Sequence, residues 1–564
     1  MRYLAQSWSR WRVTLLSLAT VSAVLLPANL LANQRFHHDE ALYATWALQI
    51  ASGADPWLAH TPVDKPPLFL YILAGTTRLL GPTETAARIP SLLATAISVL
   101  LTFGLGRKLY GEVVGLVAAW LMALSPFTLL FAPTAFTDPL LVVLVLAACL
   151  AAAHGRAGWA GIMTGLAVAT KQQGVFFVPL VLALLIYDLR FTPHASHITF
   201  HVSRFTLALL FILLLVLTWN LTRSKVPDFL THSLSNYGGL TGDAASFGER
   251  WDGFVDLLQY GTASPVLNGI FGAGLPLLLA YGVWSGNGTA DRRPIRQAQG
   301  EPPTAEDTLP CTLAPPPPRS SAPPLLRSPA QTDWIFTLFI LLFLLGHALF
   351  SFQVWDRYLL GLIPFLALLL ARILWLPGLI LTRIVENRIN FYHRAAETQR
   401  FFKFNFLCIS VPLWLNSWRN LFTPVYGLAL TLLLTVTFAQ PVQDAVNGRY
   451  PLGSHSQALS GIEQIVAYLQ GHAGANHTLY HRWLGTHWRF YLWGYPYDLQ
   501  YWASPQELAA KAKPGHLIAF PSWQSETEAR LVLASVGLEL KELTRAYNPA
   551  GYPSIILYEI VSSQ

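Results

Sequence analysis

From Val13 to Glu40 the chain reads VTLLSLATVSAVLLPANLLA followed by NQRFHHDE. The apolar part, Val13 to Ala32, carries no charge, follows Arg2, Arg10 and Arg12, and is long enough to cross a hydrocarbon core of about 30 Å as a helix. A secretory signal core runs to only about 7–15 residues, and no small-x-small cleavage site is clear here. The stretch therefore reads as a retained first span whose start is cytoplasmic. Immediately after it come two carboxylates, Asp39 and Glu40, at a boundary where charge is costly unless it is solvated, paired or used.

The rest of the chain repeats the apolar theme. Further runs lie near 86–106, 112–131, 137–153, 157–170, 174–187, 205–221, 264–284, 334–352, 358–376 and 421–440. With the first, these predict a polytopic α-helical membrane protein of about eleven transmembrane helices, with the short pair around Lys171 also open to a re-entrant hairpin reading. Composition agrees: of 564 residues 53% are apolar and 12% charged, against about 25% charged in an ordinary soluble domain. The net charge of +7 calls for no nucleic acid, because residues 441–564 hold eight Lys/Arg against nine Asp/Glu. The basic excess falls in the first 440 residues, where it follows the positive-inside pattern. Cys149, Cys311 and Cys408 offer no close-spaced pair for a structural zinc or redox motif, and no disulfide framework is visible.

Three long segments lie outside the apolar runs. Residues 33–85 form a first outer loop, in which Tyr43, Trp46 and Trp57 look interfacial. Residues 286–333, with Pro315 to Pro318, read as a disordered cytoplasmic insert. Residues 441–564 read as a soluble outer-face α/β domain, with helices expected at Gly461–Gln470, Ser504–Lys513 and Glu526–Ser535, and strands at His516–Phe520 and Ser554–Ile560. His477, His481 and His487 suit a structural role in an aromatic, strand-like segment better than a metal site. No internal repeat of the kind common in transporters is visible.

Within this framework a few polar residues stand out. Asp39 is a natural helix cap as well as a candidate for chemistry, and the two readings are compatible. Lys65, before Pro66 and Pro67, is held on extended backbone and is suited to a phosphate near the headgroups, though a lone lysine here also reads as a snorkelling surface cation. Thr137-Asp138-Pro139 has the form of a helix start. Arg88, Lys171 and Arg357 fall at outer membrane edges on this topology, against the positive-inside bias, which suggests an anionic ligand on the outer face.

In order along the chain, these clusters resemble a known family. Asp39-Glu40-Ala41 with Tyr43 and Gly53, Lys65-Pro66-Pro67-Leu68 with Tyr71, and Gly81 with Ala87-Arg88-Ile89-Pro90-Ser91 look like the first outer loop of polyprenyl-phosphate-sugar glycosyltransferases of the GT-C fold. That superfamily (glycosyltransferase family 39-like) includes the protein O-mannosyltransferases and the aminoarabinose transferases of lipid A. The likeness runs on through Gly106-Arg107, Pro126, Thr137-Asp138 and Gly165-Leu166 to Thr170-Lys171, and returns at Arg357-Tyr358-Leu359 and Pro364. It departs at Gln172-Gln173, where the family has small residues, and in the proline-rich insert.

The resemblance implies a GT-C domain over 1–440 and an enzyme that moves one sugar, of mannosyl or aminoarabinosyl type, from a polyprenyl-phosphate donor to a hydroxyl of a lipid, glycan or protein, with inversion. It implies Asp39 as base, with Glu40 and Asp138 beside it, and Lys65, Arg88, Arg357, Tyr358 and Lys171 around the donor phosphate. No cofactor is required, and a divalent ion at Asp39 and Asp138 is left open. The expected location is a bacterial inner membrane, with the terminal domain outside. The competing readings are a lipid-linked glycan flippase and a glycan ligase or polymerase; a flippase predicts the repeats that are missing, and a ligase a catalytic loop late in the chain.

Overall fold

The computed structural model describes residues 2–189, 195–223, 225–237, 242, 245–290, 329–398, 426–427, 429–453, 459–472 and 477–563. Every apolar run read from the sequence is mainly helical among the described residues. Seven of these helices are long and apolar enough to cross a membrane: Trp11–Leu31, Glu84–Tyr110, Ile198–Leu221, Pro265–Trp284, Pro329–Leu349, Asp356–Leu381 and Ala429–Val446. The protein is a multi-pass membrane protein.

The expected count of about eleven needs qualification. Glu112–Leu124, Asp138–Ala153 and Ala157–Thr170 are helices of only 13, 16 and 14 residues, about 20–24 Å at 1.5 Å per residue. They fall short of a full span because glycine, proline or lysine interrupts the apolar run at each end. Gln172–Tyr187 is also short. The helices pack closely where glycines meet: a Cβ added to Gly106 would lie 2.7 Å from the Gly115 Cα, so no side chain separates Glu84–Tyr110 from Glu112–Leu124.

The first outer loop is itself two helices, His38–Ser52 and Pro67–Leu80. Pro67 sits in the first turn of the second, where its missing N–H is not needed and its fixed φ suits a helix start. The interfacial reading of this loop fails for two of its three aromatics. Tyr43 and Trp46 are buried, 1% and 5% exposed, because the helix packs under the terminal domain and against Pro67–Leu80; only Trp57 is exposed.

Much of the proposed proline-rich insert, 291–328, lies outside the described residues. Its two ends do not belong to it: Pro265–Ala290 and Pro329–Leu349 are continuous helices. Asp333, at the insert's expected edge, is buried and ion-paired to Arg372 at 3.1 Å, and the Arg372 guanidinium lies 4.8 Å from the Tyr110 ring.

Near the C-terminus a five-stranded sheet has the order β2-β1-β3-β5-β4, with β1 His477–His481, β2 Tyr497–Tyr501, β3 Leu517–Pro521, β4 Leu538–Tyr547 and β5 Pro553–Ser562. β1 is parallel to β2 and β3, and β5 is antiparallel to β3 and β4. Alternation along β5 sends Ile555 and Leu557 toward helices Ile462–Gly471 and Gly485–Tyr491, and Tyr558 and Ile560 toward Pro505–Lys511 and Thr527–Ala534. The sheet is thus covered on both faces.

Helix Gly485–Tyr491 docks this domain onto the first outer loop. The Thr45 hydroxyl donates to the Thr486 carbonyl at 3.0 Å, His487 Nε2 donates to the Phe36 carbonyl at 3.0 Å, and the Phe36 and Phe490 rings meet edge to face at 4.9 Å. Tyr491 donates its hydroxyl to Glu84, which Arg35 also meets at 3.1 Å. His487 is fully buried with its Nε2 committed to this contact, and no group of three metal-ligating side chains forms among the described residues.

Candidate functional site

The start of helix His38–Ser52 decides how the carboxylates face. The cap is His37 and not Asp39: its imidazole accepts the Asp39 N–H at 3.2 Å, while Glu40 Oε2 accepts the His37 N–H at 2.8 Å. This reciprocal capping box turns Glu40 inward. There it is fully buried and meets Arg88 Nε at 3.2 Å, with the Ala135 N–H donating to it at 2.7 Å. Arg88, equally buried, also donates to the Gln34 carbonyl at 2.8 Å and lies 3.8 Å from Glu84. Neither Glu40 nor Arg88 lines the cavity described next. The phosphate role read for Arg88 is not compatible with this placement, since its guanidinium is occupied in fastening the loop and the Ala135 turn to helix Glu84–Tyr110.

Asp39, one residue earlier, faces the other way. Its carboxylate accepts from Arg357 Nη1 at 2.5 Å. Burial alone would raise the Asp39 pKa, but the adjacent guanidinium and its hydrogen bond outweigh that and hold the carboxyl below its ordinary value. Arg357 stands in the 3₁₀ segment Asp356–Leu362, its guanidinium 3.9 Å from the Trp355 ring. The Asp356 carboxylate accepts from the Arg357 N–H at 2.7 Å and from the Gly453 N–H at 2.7 Å, which fixes that segment.

A second pair lies close by. The helix Asp138–Ala153 follows Thr137, which makes no side-chain cap hydrogen bond, with Asp138 its first residue and Pro139 in the first turn. The Asp138 carboxylate accepts from Lys171 Nζ at 2.6 Å. Lys171 is the extended residue between helix Ala157–Thr170 and the 3₁₀ turn Gln172–Phe177, and its ammonium lies 4.7 Å from the Tyr358 ring. Burial pulls its pKa down to about 8 despite the Asp138 charge. Lys65 completes the set: it is 4% exposed, pairs with Asp64 at 3.0 Å, lies 5.9 Å from the Tyr43 ring, and burial lowers its pKa as well.

These groups meet at one cavity of about 210 Å³, lined by Tyr43, Lys65, Thr137, Asp138, Lys171, Arg357 and Tyr358 on its polar side. Asp39 is not on the lining itself but touches it through Arg357. The lining also includes apolar side chains: Val175, Phe176, Leu230, Leu234, Phe352 and Trp355. Each ammonium has three N–H donors and the guanidinium five, so the carboxylates orient the cations without exhausting them. Asp39 and Asp138, the pair considered for a metal, are each matched by a cation.

Of the eight residues singled out from the sequence, Lys65, Asp138, Lys171, Arg357 and Tyr358 share the cavity, Asp39 adjoins it, and Glu40 and Arg88 stand behind it. Sequence reasoning missed Gln173 and His347, whose side-chain nitrogens lie 3.0 Å apart on the lining, and the role of Gln172, which donates to the Asp64 carbonyl at 2.6 Å. The one signal for them was that Gln172-Gln173 departs from the small residues expected there.

Residues 64–220 match the sequence model of a family described as dolichyl-phosphate-mannose-protein mannosyltransferase. No curated protein sequence matches the chain. Among solved structures, ArnT from Cupriavidus metallidurans in the apo state superimposes with a TM-score of 0.59 at 13% identity, covering 98% of each chain. The same protein bound to undecaprenyl phosphate gives a TM-score of 0.56 at 16% identity, covering 97% of this chain and 98% of that one. At such identities the likeness is one of fold. The chain is thus a multi-pass membrane protein with the GT-C fold of ArnT and a small terminal sheet domain, and it resembles the dolichyl-phosphate-mannose-protein mannosyltransferases over residues 64–220.

Proposed function

We propose that this protein is a membrane glycosyltransferase that transfers one sugar, a hexose or pentose, from a polyprenyl phosphate to an acceptor hydroxyl on the outer face, with inversion. The observation that carries this reading is the cavity where Lys65, Lys171 and Arg357 converge beside the Asp39 carboxylate, with apolar side chains in the same lining. An undecaprenyl phosphate is bound by the solved ArnT of the same fold. Here the apolar side chains would take the first isoprene units and the three cations the phosphate.

Chemically, the acceptor oxygen attacks the anomeric carbon as the bond to the phosphate oxygen breaks. The hydroxyl proton passes to Asp39, which is ionised at neutral pH because Arg357 holds its pKa down. The electron pair leaves on the polyprenyl phosphate, whose added charge is stabilised by Lys65, Lys171 and Arg357. Asp138 and Tyr358 position Lys171, and Glu40 with Arg88 hold the loop that carries Asp39.

Membranes carrying Asp39→Asn, supplied with a polyprenyl-phosphate sugar, are expected to lose about a hundredfold or more of the transfer rate while still retaining the donor lipid. Full transfer by that variant would remove Asp39 as the base. Mass spectrometry of envelope lipids and glycoproteins with and without the protein identifies the acceptor as the species that loses a single sugar. Loss of a polymer instead would favour the ligase reading.

A further inference from the structure

At the end of the bundle opposite the cavity, the chain passes from helix Asp138–Ala153 to helix Ala157–Thr170 through His154, Gly155 and Arg156. The second of these helices lies against Ala195–Leu221 with almost no space between backbones: a Cβ on Gly161 would stand 2.2 Å from the Phe205 carbonyl oxygen. That approach brings Arg204 over Gly158, where an added Cβ would lie 4.0 Å from Arg204 Nη2. Arg156 and Arg204 therefore line one open cavity of about 480 Å³, together with Gly155, Gly158, Trp159 and Ile162. Both arginines are exposed, and neither is ion-paired among the described residues.

Two guanidinium groups on one cavity, with no carboxylate between them, repel each other and are relieved by an anion. Their planar forks match phosphate oxygens. The surroundings decide what carries that phosphate. Beyond Arg204, helix Ala195–Leu221 turns Leu207, Leu210, Phe211, Leu214 and Leu217 outward, all exposed, in a continuous apolar stripe leading away from the cavity. Trp159, 58% exposed, stands beside Arg156, where an indole favours the headgroup level. A soluble phosphate would use only the arginines, whereas a phospholipid would use the arginines, the indole and the stripe. Helix Ala157–Thr170, 14 residues long, separates Arg156 from Lys171 by about 20 Å, so this is not an extension of the cavity at Lys65.

We infer that the cavity binds the headgroup of an anionic phospholipid, its phosphate between Arg156 and Arg204 and its acyl chains along the leucine stripe. Full-length protein in mild detergent is exposed to phosphatidylglycerol and phosphatidylcholine of matched chains and examined by native mass spectrometry. The intact protein is expected to keep one phosphatidylglycerol at a collision energy that strips phosphatidylcholine. The double variant Arg156→Ala/Arg204→Ala should lose about tenfold or more of that retention. Gly158→Leu, which fills the cavity and leaves both charges in place, should lose it too. Equal retention of the two lipids, or retention unchanged in the double variant, would overturn the assignment. Displacement of the lipid by inorganic phosphate at equal concentration would assign the site to a soluble anion and overturn the lipid as its occupant.

Discussion

Lys171 is the residue whose behaviour carries the sharpest prediction. Its pKa is pulled down to about 8 by burial, so below that pH the free protein presents an ammonium to the donor phosphate and above it a neutral amine. A phosphate bound beside it raises that pKa, so binding above about pH 8 must take up a proton and weakens as pH rises. Apparent donor affinity should therefore fall toward tenfold per pH unit above about 8 and level off below it, as read from the pH dependence of the Michaelis constant. Lys171→Arg, charged throughout, should flatten the profile in that range even where its overall affinity is lower. A wild-type affinity that stays constant from pH 7 to 9.5 would exclude Lys171 from the phosphate contact. Asp39 behaves in the opposite sense: its pKa is held down, so it keeps its charge through the same range and contributes no slope there.

At the scale of elements, the first outer loop shows how a local signal and a distant one divide the work. The helix at His38 was legible, because a capping Asp before a run of helix formers is a local pattern. What the pattern left undecided was which residue caps, and hence which carboxylate turns inward. The answer rests on Arg88, 48 residues from Glu40, which no local rule reaches. The two pairs at the cavity have the same character. Asp39 and Arg357 are 318 residues apart, and Asp138 and Lys171 are 33 apart, so the sequence offered the members but not the matching. Gln173 and His347 carry no pattern of their own and become neighbours only when the helices pack. Because loss of the Glu40 charge would leave Arg88 buried and underpaired, Glu40→Gln should cost about 3 kcal/mol of stability, visible as a lower unfolding midpoint in detergent. Its turnover should recover at temperatures well below that midpoint, as suits a positioning residue. A loss as deep as that of Asp39→Asn at every temperature would return Glu40 to the chemistry.

Across the whole molecule, the terminal sheet domain docks on the first outer loop through helix Gly485–Tyr491. Thr486, His487 and Tyr491 reach Thr45, Phe36 and Glu84, so the domain presses on both ends of the segment that carries Asp39. Tyr491→Phe removes the hydroxyl from Glu84 and should open the loop to protease between residues 33 and 66 severalfold faster, with transfer reduced and the cavity residues untouched. Unchanged cleavage would mean that the docking is carried by the Phe36 contacts instead. The three short helices set another whole-molecule condition. Helices of 13, 16 and 14 residues are up to about 10 Å shorter than an undisturbed hydrocarbon core. Asp138 and Lys171 stand at the ends of two of them. Where such an end faces lipid, the bilayer would meet it by thinning or by letting headgroups sink. On the function proposed above, a lipid phosphate would then reach the site down a slope in the membrane surface, its tail staying in the hydrocarbon. The thickness of the surrounding membrane, fixed by its lipids and not by this chain, becomes part of what sets the height of that slope.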